Sequence, residues 1–324
     1  MRKVSTYKMA FMLLSATSLL AGCSGDDDFN GNGNVNGNNG NAITFNTNVS
    51  NFISKAATYD DADALQKEGS FTCTAYNATT TTAFIEPTKV IWDSSENKWK
   101  FAENQYWKYA SALDFFAYMP ATKPGYITSI NYSTARQPQF VCTDLPTTAE
   151  GQKTLKEFIC ALATDKTKAN SSEGVSMQFK HTFARLVFKL KNPASDGITV
   201  NSVTIAPSTP ANIFETGGTC AYNGSAWVWT PSGSSTTGSI VGSVDSPLLV
   251  IPKDYSGTTF TITVNATWTN LSNVTLNKSA TIKAKNKSGE TLMNWEAGYS
   301  YQFELEFTPE ALVLNTSKYT VEQW

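Results

Sequence analysis

The chain has 324 residues, with 25 Lys and Arg against 27 Asp and Glu, and a single histidine, His181. This slightly acidic balance argues against nucleic acid as a partner, because phosphate binding demands clustered bases. One histidine closes off His-rich zinc sites and most other His-dependent chemistry.

At the N-terminus, Arg2, Lys3 and Lys8 precede an apolar run from Met9 to Ala21, within which Leu20-Ala21-Gly22-Cys23 begins. The run is about a dozen residues, short of the ~20 that cross a hydrocarbon core, so residues 1–22 read as a secretory signal peptide. The small residues before Cys23 place the cut between Gly22 and Cys23, and the Cys23 thiol is expected to carry a diacylglycerol anchor with palmitate-like chains. Each buried acyl CH₂ contributes about 0.8 kcal/mol, so two or three chains hold a protein at a membrane. The cut removes three bases and no acid, leaving 22 bases against 27 acids, a net charge of −5.

Residues 23–41 form the next segment. Ser24-Gly25-Asp26-Asp27-Asp28 is followed by a tract from Asn30 to Asn41 made almost wholly of Gly and Asn. Such a tract cannot build a core and is expected to be a tether spanning about 20 Å. The acidic cluster reads either as solvated linker or, by resemblance, as a Ser-plus-acidic signal that exports lipoproteins to the outer face of the outer membrane.

From residue 42 the chain is written in strands. Ile43–Val49, Ser70–Tyr76, Val90–Trp92 with Trp99–Phe101, Leu113–Tyr118, Ile198–Ile205 and Thr281–Lys285 are candidates, separated by Gly, Pro, Asn and Ser clusters. Two further segments alternate strictly: Phe260, Ile262, Val264, Ala266 and Trp268 with polar residues between, and Tyr299, Tyr301, Phe303, Leu305 and Phe307 likewise. Helical periodicity is confined to a turn or two around Thr148–Ala163. Short strands rich in Thr, Ser and Asn predict an all-β fold of antiparallel sandwiches.

Val175, Met177, Phe179 and Phe183 occupy odd positions, whereas Ala184, Leu186, Phe188 and Leu190 occupy even ones. A one-residue phase change reverses the buried face, so the chain must bulge near Phe183 or pass from one sheet to another. A similar shift separates Ile198 and Val200 from Val203 and Ile205. His181, on the apolar side, reads as a satisfied core residue. Cys73, Cys142, Cys160 and Cys220 are spaced by 69, 18 and 60 residues. An exported chain permits disulfides, but these spacings match no known framework, and free buried thiols are the favoured reading.

Ile43-Thr44-Phe45, Leu113-Asp114-Phe115-Phe116-Ala117-Tyr118-Met119-Pro120, Phe179-Lys180-His181-Thr182-Phe183-Ala184-Arg185-Leu186 and Trp295-Glu296-Ala297-Gly298-Tyr299-Ser300-Tyr301, in this order, resemble the fimbrillin-like family. That family supplies subunits of type V pili in Gram-negative gut and oral bacteria. The resemblance implies two tandem transthyretin-like β-sandwich domains and a structural subunit or tip adhesin of a cell-surface fimbrium; the polar, loop-like Lys166–Gly174 stretch puts the boundary near residue 172, giving domains of residues 42–172 and 173–324. The resemblance also implies a lipoprotein precursor anchored in the outer membrane. An Arg- or Lys-specific protease would trim it, and it would polymerise with other pilus subunits when a neighbour's strand fills the vacated groove. On this chain the matching positions are a first strand bearing Ile43 and Phe45 and a scissile bond between Lys55 and Ala56.

A donor strand must be amphipathic and free to reach. Residues 311–324 fit, with Leu312, Leu314, Tyr319 and Val321 and no Gly or Pro; the alternative is that this tail pairs within its own domain, as in a tip or anchor subunit.

No catalytic or cofactor motif emerges: Asp26–Asp28 lie in the tether, Asp60, Asp61 and Asp63 in a polar loop without calcium-loop spacing, and no phosphate cradle or nucleophile elbow is present. No enzyme activity, metal or cofactor is therefore expected. The second non-enzymatic reading is a surface-anchored lipoprotein that binds a glycan or other host ligand. It requires a row of solvent-facing rings among Trp92, Trp99, Trp107, Trp227 and Trp229.

Overall fold

The computed structural model describes residues 42–49, 61–107, 111–191, 197–209, 213–234, 236–244, 246–255, 257–269, 274–282, 294–307 and 312–323. The expected signal peptide, Cys23, the expected tether and the Lys55–Ala56 bond lie outside these residues. The described chain is all-β apart from two short helices.

The first half lays down β1 (Thr44–Val49), α1 (Ala62–Glu68), β2 (Ser70–Asn77), β3 (Ala83–Asp93), β4 (Lys98–Phe101), β5 (Leu113–Met119), β6 (Ile127–Tyr132), β7 (Pro138–Cys142), α2 (Ala149–Thr154), β8 (Ile159–Lys166) and β9 (Val175–His181). Seven of these strands close a barrel in the order β1-β4-β3-β2-β5-β8-β9. The ring is completed by β1, which pairs antiparallel with β4 on one side and parallel with β9 on the other.

The second half contains β10 (Ala184–Leu190), β11 (Ile198–Pro207), β12 (Phe214–Glu215), β13 (Gly218–Tyr222), β14 (Trp227–Pro231), β15 (Thr236–Thr237), β16 (Ile240–Gly242), β17 (Leu248–Val250), β18 (Lys253–Asp254), β19 (Phe260–Trp268), β20 (Val274–Ile282), β21 (Asn294–Trp295), β22 (Tyr299–Phe307) and β23 (Leu312–Gln323). Its two main sheets run β17-β10-β22-β23 and β16-β11-β19-β20. They enclose one core, with Leu186, Phe188, Phe260, Ile262, Val264, Trp295 and Phe303 among its buried members.

The phase change at Phe183 marks the passage between halves: β9 belongs to the barrel, and β10 begins a new sheet after a gap of two residues. The second phase change is a register shift between Val200 and Ser202 in the β11–β19 ladder. Residue 172, expected as a domain boundary, lies in the β8–β9 connection, but β9 still completes the barrel. A further sheet, β14-β13-β7-β6, takes two strands from each side of that residue. Its core gathers Phe116, Phe140, Phe158, Phe183 and Trp227. The two halves therefore share a sheet.

Two local readings change. The polar loop expected at Asp60–Asp63 contains the start of α1: the Asp61 carboxylate accepts from the Ala64 amide at 2.8 Å, and Gly69 ends the helix at φ 76°. The helical segment expected over Thr148–Ala163 stops at Thr154, and Ile159–Ala163 enters β8. There, Ile159, Cys160, Ala161 and Ala163 are buried and the backbone pairs with β5, so an apolar run belongs to an inner strand.

Candidate functional site

The structure holds β1 through its backbone on both edges and through its side chains below. Thr44 and Phe45 face Lys100 and Trp99 of β4, while Phe45 to Val49 pair one for one with Val175 to Phe179 of β9. The Ile43 amide, just before the strand, donates to the Gln105 carbonyl at 2.7 Å. Ile43 and Phe45 are each 1% exposed, whereas Asn46 and Asn48 face solvent, the two-residue alternation that the sequence predicts.

Phe45 is the centre of this contact. Its ring meets those of Phe71, Phe101 and Phe115 edge-on, at centroid separations of 5.7, 5.2 and 5.7 Å. Such aromatic pairs contribute about 0.5–1.5 kcal/mol each beyond simple burial. Ile43, Phe45 and Val49 bury with Leu65 of α1, Phe71 of β2 and Phe179 of β9 in a single core. Full burial of each aliphatic or aromatic side chain stabilises the fold by roughly 1.5–3 kcal/mol.

Two features beside β1 escaped the sequence reading. The Asn46 side-chain amide donates to the Glu173 carbonyl at 2.6 Å. Gly174 follows at φ +104°, and a Cβ there would lie 3.2 Å from Thr44 Oγ1 and 3.3 Å from both the Thr44 carbonyl oxygen and the Phe45 carbonyl carbon. A residue with a side chain would be strained in that conformation and would press on β1. The available signal was a lone glycine in the polar Ser171–Gly174 stretch just before a strand.

The barrel wall beyond β1 is braced by a buried carboxylate. Asp114, with a side chain 0% exposed, accepts from Arg136 Nε at 2.6 Å and Nη2 at 2.5 Å, from the Tyr132 hydroxyl at 2.7 Å and from the Asp165 amide at 2.9 Å. Burial pushes this carboxyl upward, but Arg136, the Asp165 amide and Tyr132 outweigh it and hold it below the usual carboxylate range. His181 is likewise buried, its Nδ1 2.8 and 2.9 Å from the Glu157 carboxylate oxygens.

The other predicted positions fall as follows. Leu312, Leu314, Tyr319 and Val321 all lie in β23, whose backbone pairs antiparallel with β22 at the end of its sheet. Tyr319 falls within a register shift between Asn315 and Thr320, and Val321 is exposed. Cys73, Cys142, Cys160 and Cys220 are buried free thiols, and burial pushes Cys142 up to about 12. Trp99 and Trp227 are buried, and Trp92, Trp107 and Trp229 are half-buried. Trp227 and Trp229 line an open cleft of about 500 Å³, but Trp227 packs into the shared core, so these five tryptophans make no exposed row. Among the described residues no cluster of three or more His, Cys, Asp or Glu is placed to hold a metal ion.

The family model described as fimbrillin-like matches residues 37–324. Among solved structures, a candidate cell adhesion protein of Bacteroides uniformis ATCC 8492 is similar at 17% identity and a TM-score of 0.54, over 88% of this chain and 97% of that one. A fimbrial protein of Bacteroides vulgatus ATCC 8482 gives 15% identity and a TM-score of 0.55, over 88% and 99%. A candidate cell adhesion protein of Bacteroides ovatus ATCC 8483 gives 14% and 0.52, over 87% and 97%. No curated protein matches.

Proposed function

Because the chain belongs to the fimbrillin-like family, we propose that it is a structural subunit or tip adhesin of a cell-surface pilus, delivered as a lipoprotein and assembled by exchange of its first strand. In this reading Cys23 anchors the precursor in the outer membrane, and a cut between Lys55 and Ala56 releases lipid, tether and β1 together.

The observation that supports it is the place of β1 in the barrel. Removing it would leave β4 and β9 as sheet edges and uncover the Phe71, Phe101 and Phe115 rings. Unpaired N–H and C=O groups beside an apolar slot are a template for a strand from another chain. The donor in this proposal is the β23 tail of a neighbouring subunit.

Lys55→Ala tests the reading in cells. The variant should accumulate as a lipid-retaining precursor without high-mass ladders on a non-denaturing gel, while the parent chain forms them. Ladders of normal abundance built from untrimmed Lys55→Ala chains would overturn it.

A further inference from the structure

The open cleft of about 500 Å³ is lined by β14 of the shared sheet and by β18 and β21, which pair with each other as a two-stranded ribbon. To its lining β14 contributes Trp227, Val228 and Trp229, and β21 contributes Asn294 and Trp295. Strand exchange at β1 gives this cleft no role. We propose that it binds the end of an uncharged glycan bearing an N-acetylhexosamine, whose acetamido carbonyl accepts a hydrogen bond from the Trp295 indole.

The observation that points to a ligand is a donor without an acceptor. Trp295 is 1% exposed although it lines the cleft, and its Nε1 has no hydrogen-bond partner among the described residues. Nearly all buried polar groups in folded proteins are paired, because an unpaired one keeps its full desolvation cost. The ring is firmly placed: it stacks parallel to Phe214 at 6.2 Å and lies 4.9 Å from Tyr255 and 5.9 Å from Phe260. The donor is therefore fixed before a ligand arrives, which spares binding an ordering cost.

An indole N–H donates and cannot accept, so its partner must carry an acceptor into apolar surroundings. A hydroxyl would bring its own proton, which needs a further acceptor there. An acetamido carbonyl brings none and is flanked by an apolar methyl group.

The rest of the lining suits a sugar. Trp229 and Tyr299 are half-buried and offer ring surface to the cleft. The C–H face of a pyranose packs against the negative face of such rings. Lys180, Asn294 and Gln323 place polar side chains where hydroxyl groups need partners. Charge argues against an ionic ligand: Lys180 and Lys253 are matched by Asp254 and Glu296, and Lys253 is already paired with Glu215 at 2.6 Å. The volume falls within the roughly 300–1,000 Å³ of small-ligand clefts, so the site takes the end of a glycan rather than a chain laid along a row of rings.

Titration calorimetry of the full chain with methyl glycosides tests the assignment. The probes are N-acetylglucosamine and N-acetylgalactosamine, each compared with glucose or galactose, which have a hydroxyl in place of the acetamido group. At least one acetamido sugar should bind about tenfold more tightly than its hydroxyl counterpart. Trp295→Phe removes the N–H and should bring that pair of affinities together. Equal affinities in the parent chain, an unchanged ratio in Trp295→Phe, or no binding of either acetamido sugar would overturn the assignment.

Val228→Arg is the second variant, because Val228 is 46% exposed on β14 and its replacement leaves the core intact. A long charged side chain at the cleft should abolish binding; full affinity in Val228→Arg would overturn the site. Neither variant touches β1 or Lys55, so failure here leaves strand exchange standing, and failure of the Lys55→Ala test leaves the cleft standing.

Discussion

Two strands, β1 and β10, hold equivalent places in the two halves of the molecule. Each pairs antiparallel on one side, with β4 or β17, and parallel on the other, with β9 or β22. Their residues give them different prospects. In β10 both faces are inside: Leu186 and Phe188 point into the second core, while Arg185 is fully buried and donates through Nε to Ser300 Oγ at 3.1 Å. In β1 only one face is inside, Asn46 and Asn48 are wet, and the inner face is purely apolar. A strand that brings no buried charge can leave without stranding a charged partner. It also leaves a slot that any strand with the right alternation can refill.

The strongest way to break this comparison is to truncate the central ring of each half. Phe45→Ala should destabilise the uncut chain by about 3–5 kcal/mol in urea unfolding; under the strand-exchange proposal it should have no effect on assembled, trimmed chains, which would lack that residue. Phe188→Ala, which removes a ring stacked 5.4 Å from Phe303, should cost about as much in both states. Equal sensitivity of assembled chains to both substitutions would erase the distinction.

Asp114 sharpens the same contrast, because it lies on β5, in the wall that stays when β1 goes. Asp114→Ala should cost about 1–3 kcal/mol before and after trimming, since it takes the acceptor from the Tyr132 hydroxyl and the Asp165 amide, while Arg136 keeps its ion pair with Asp165 at 2.8 Å. The folded chain holds this carboxyl below the usual range. On acidification the unfolded chain therefore takes up the proton first. The stabilisation is complete above about pH 4 and is lost as pH falls through the lower folded value. Denaturant midpoints measured across that window should decline in the parent chain and decline less in Asp114→Ala.

Comparable or smaller effects are expected beside β1. Gly174→Ala forces a side chain into a positive φ and against Thr44, costing roughly 1–3 kcal/mol in the uncut chain. Asn46→Ala removes one exposed hydrogen bond and should cost about 0.5–1.5 kcal/mol at most. The matching change beside β10, Ser300→Ala on β22, should cost more, because there the hydrogen bond lost is to the buried Arg185. Thermal midpoints of the three variants would rank them.

Much of this contrast was legible in the sequence. The alternation of β19 is reproduced residue by residue in its burial, and the phase change at Phe183 identified the passage between sheets before any coordinates. Ile43 and Phe45 announced a first strand with one apolar face. What the sequence concealed depends on distant partners. Asp114 sits in an apolar run, and its acid only makes sense once Arg136, 22 residues later, folds back onto it. The shared sheet joins β7 to β13, far apart in the chain, and no local pattern specifies that pairing. The cap of α1 lay in plain view, as Asp61 before a short apolar-polar run and Gly69 after it, but reading those aspartates as a solvated loop hid it.

Assembly by strand exchange requires that β1 be absent from assembled chains. Mass spectrometry of the N-terminus of this protein, recovered from cells in high-mass assemblies, tests that directly. The predicted result is a chain beginning at Ala56 with no lipid. A chain beginning at a lipidated Cys23, with Ile43 and Phe45 still attached, would contradict it.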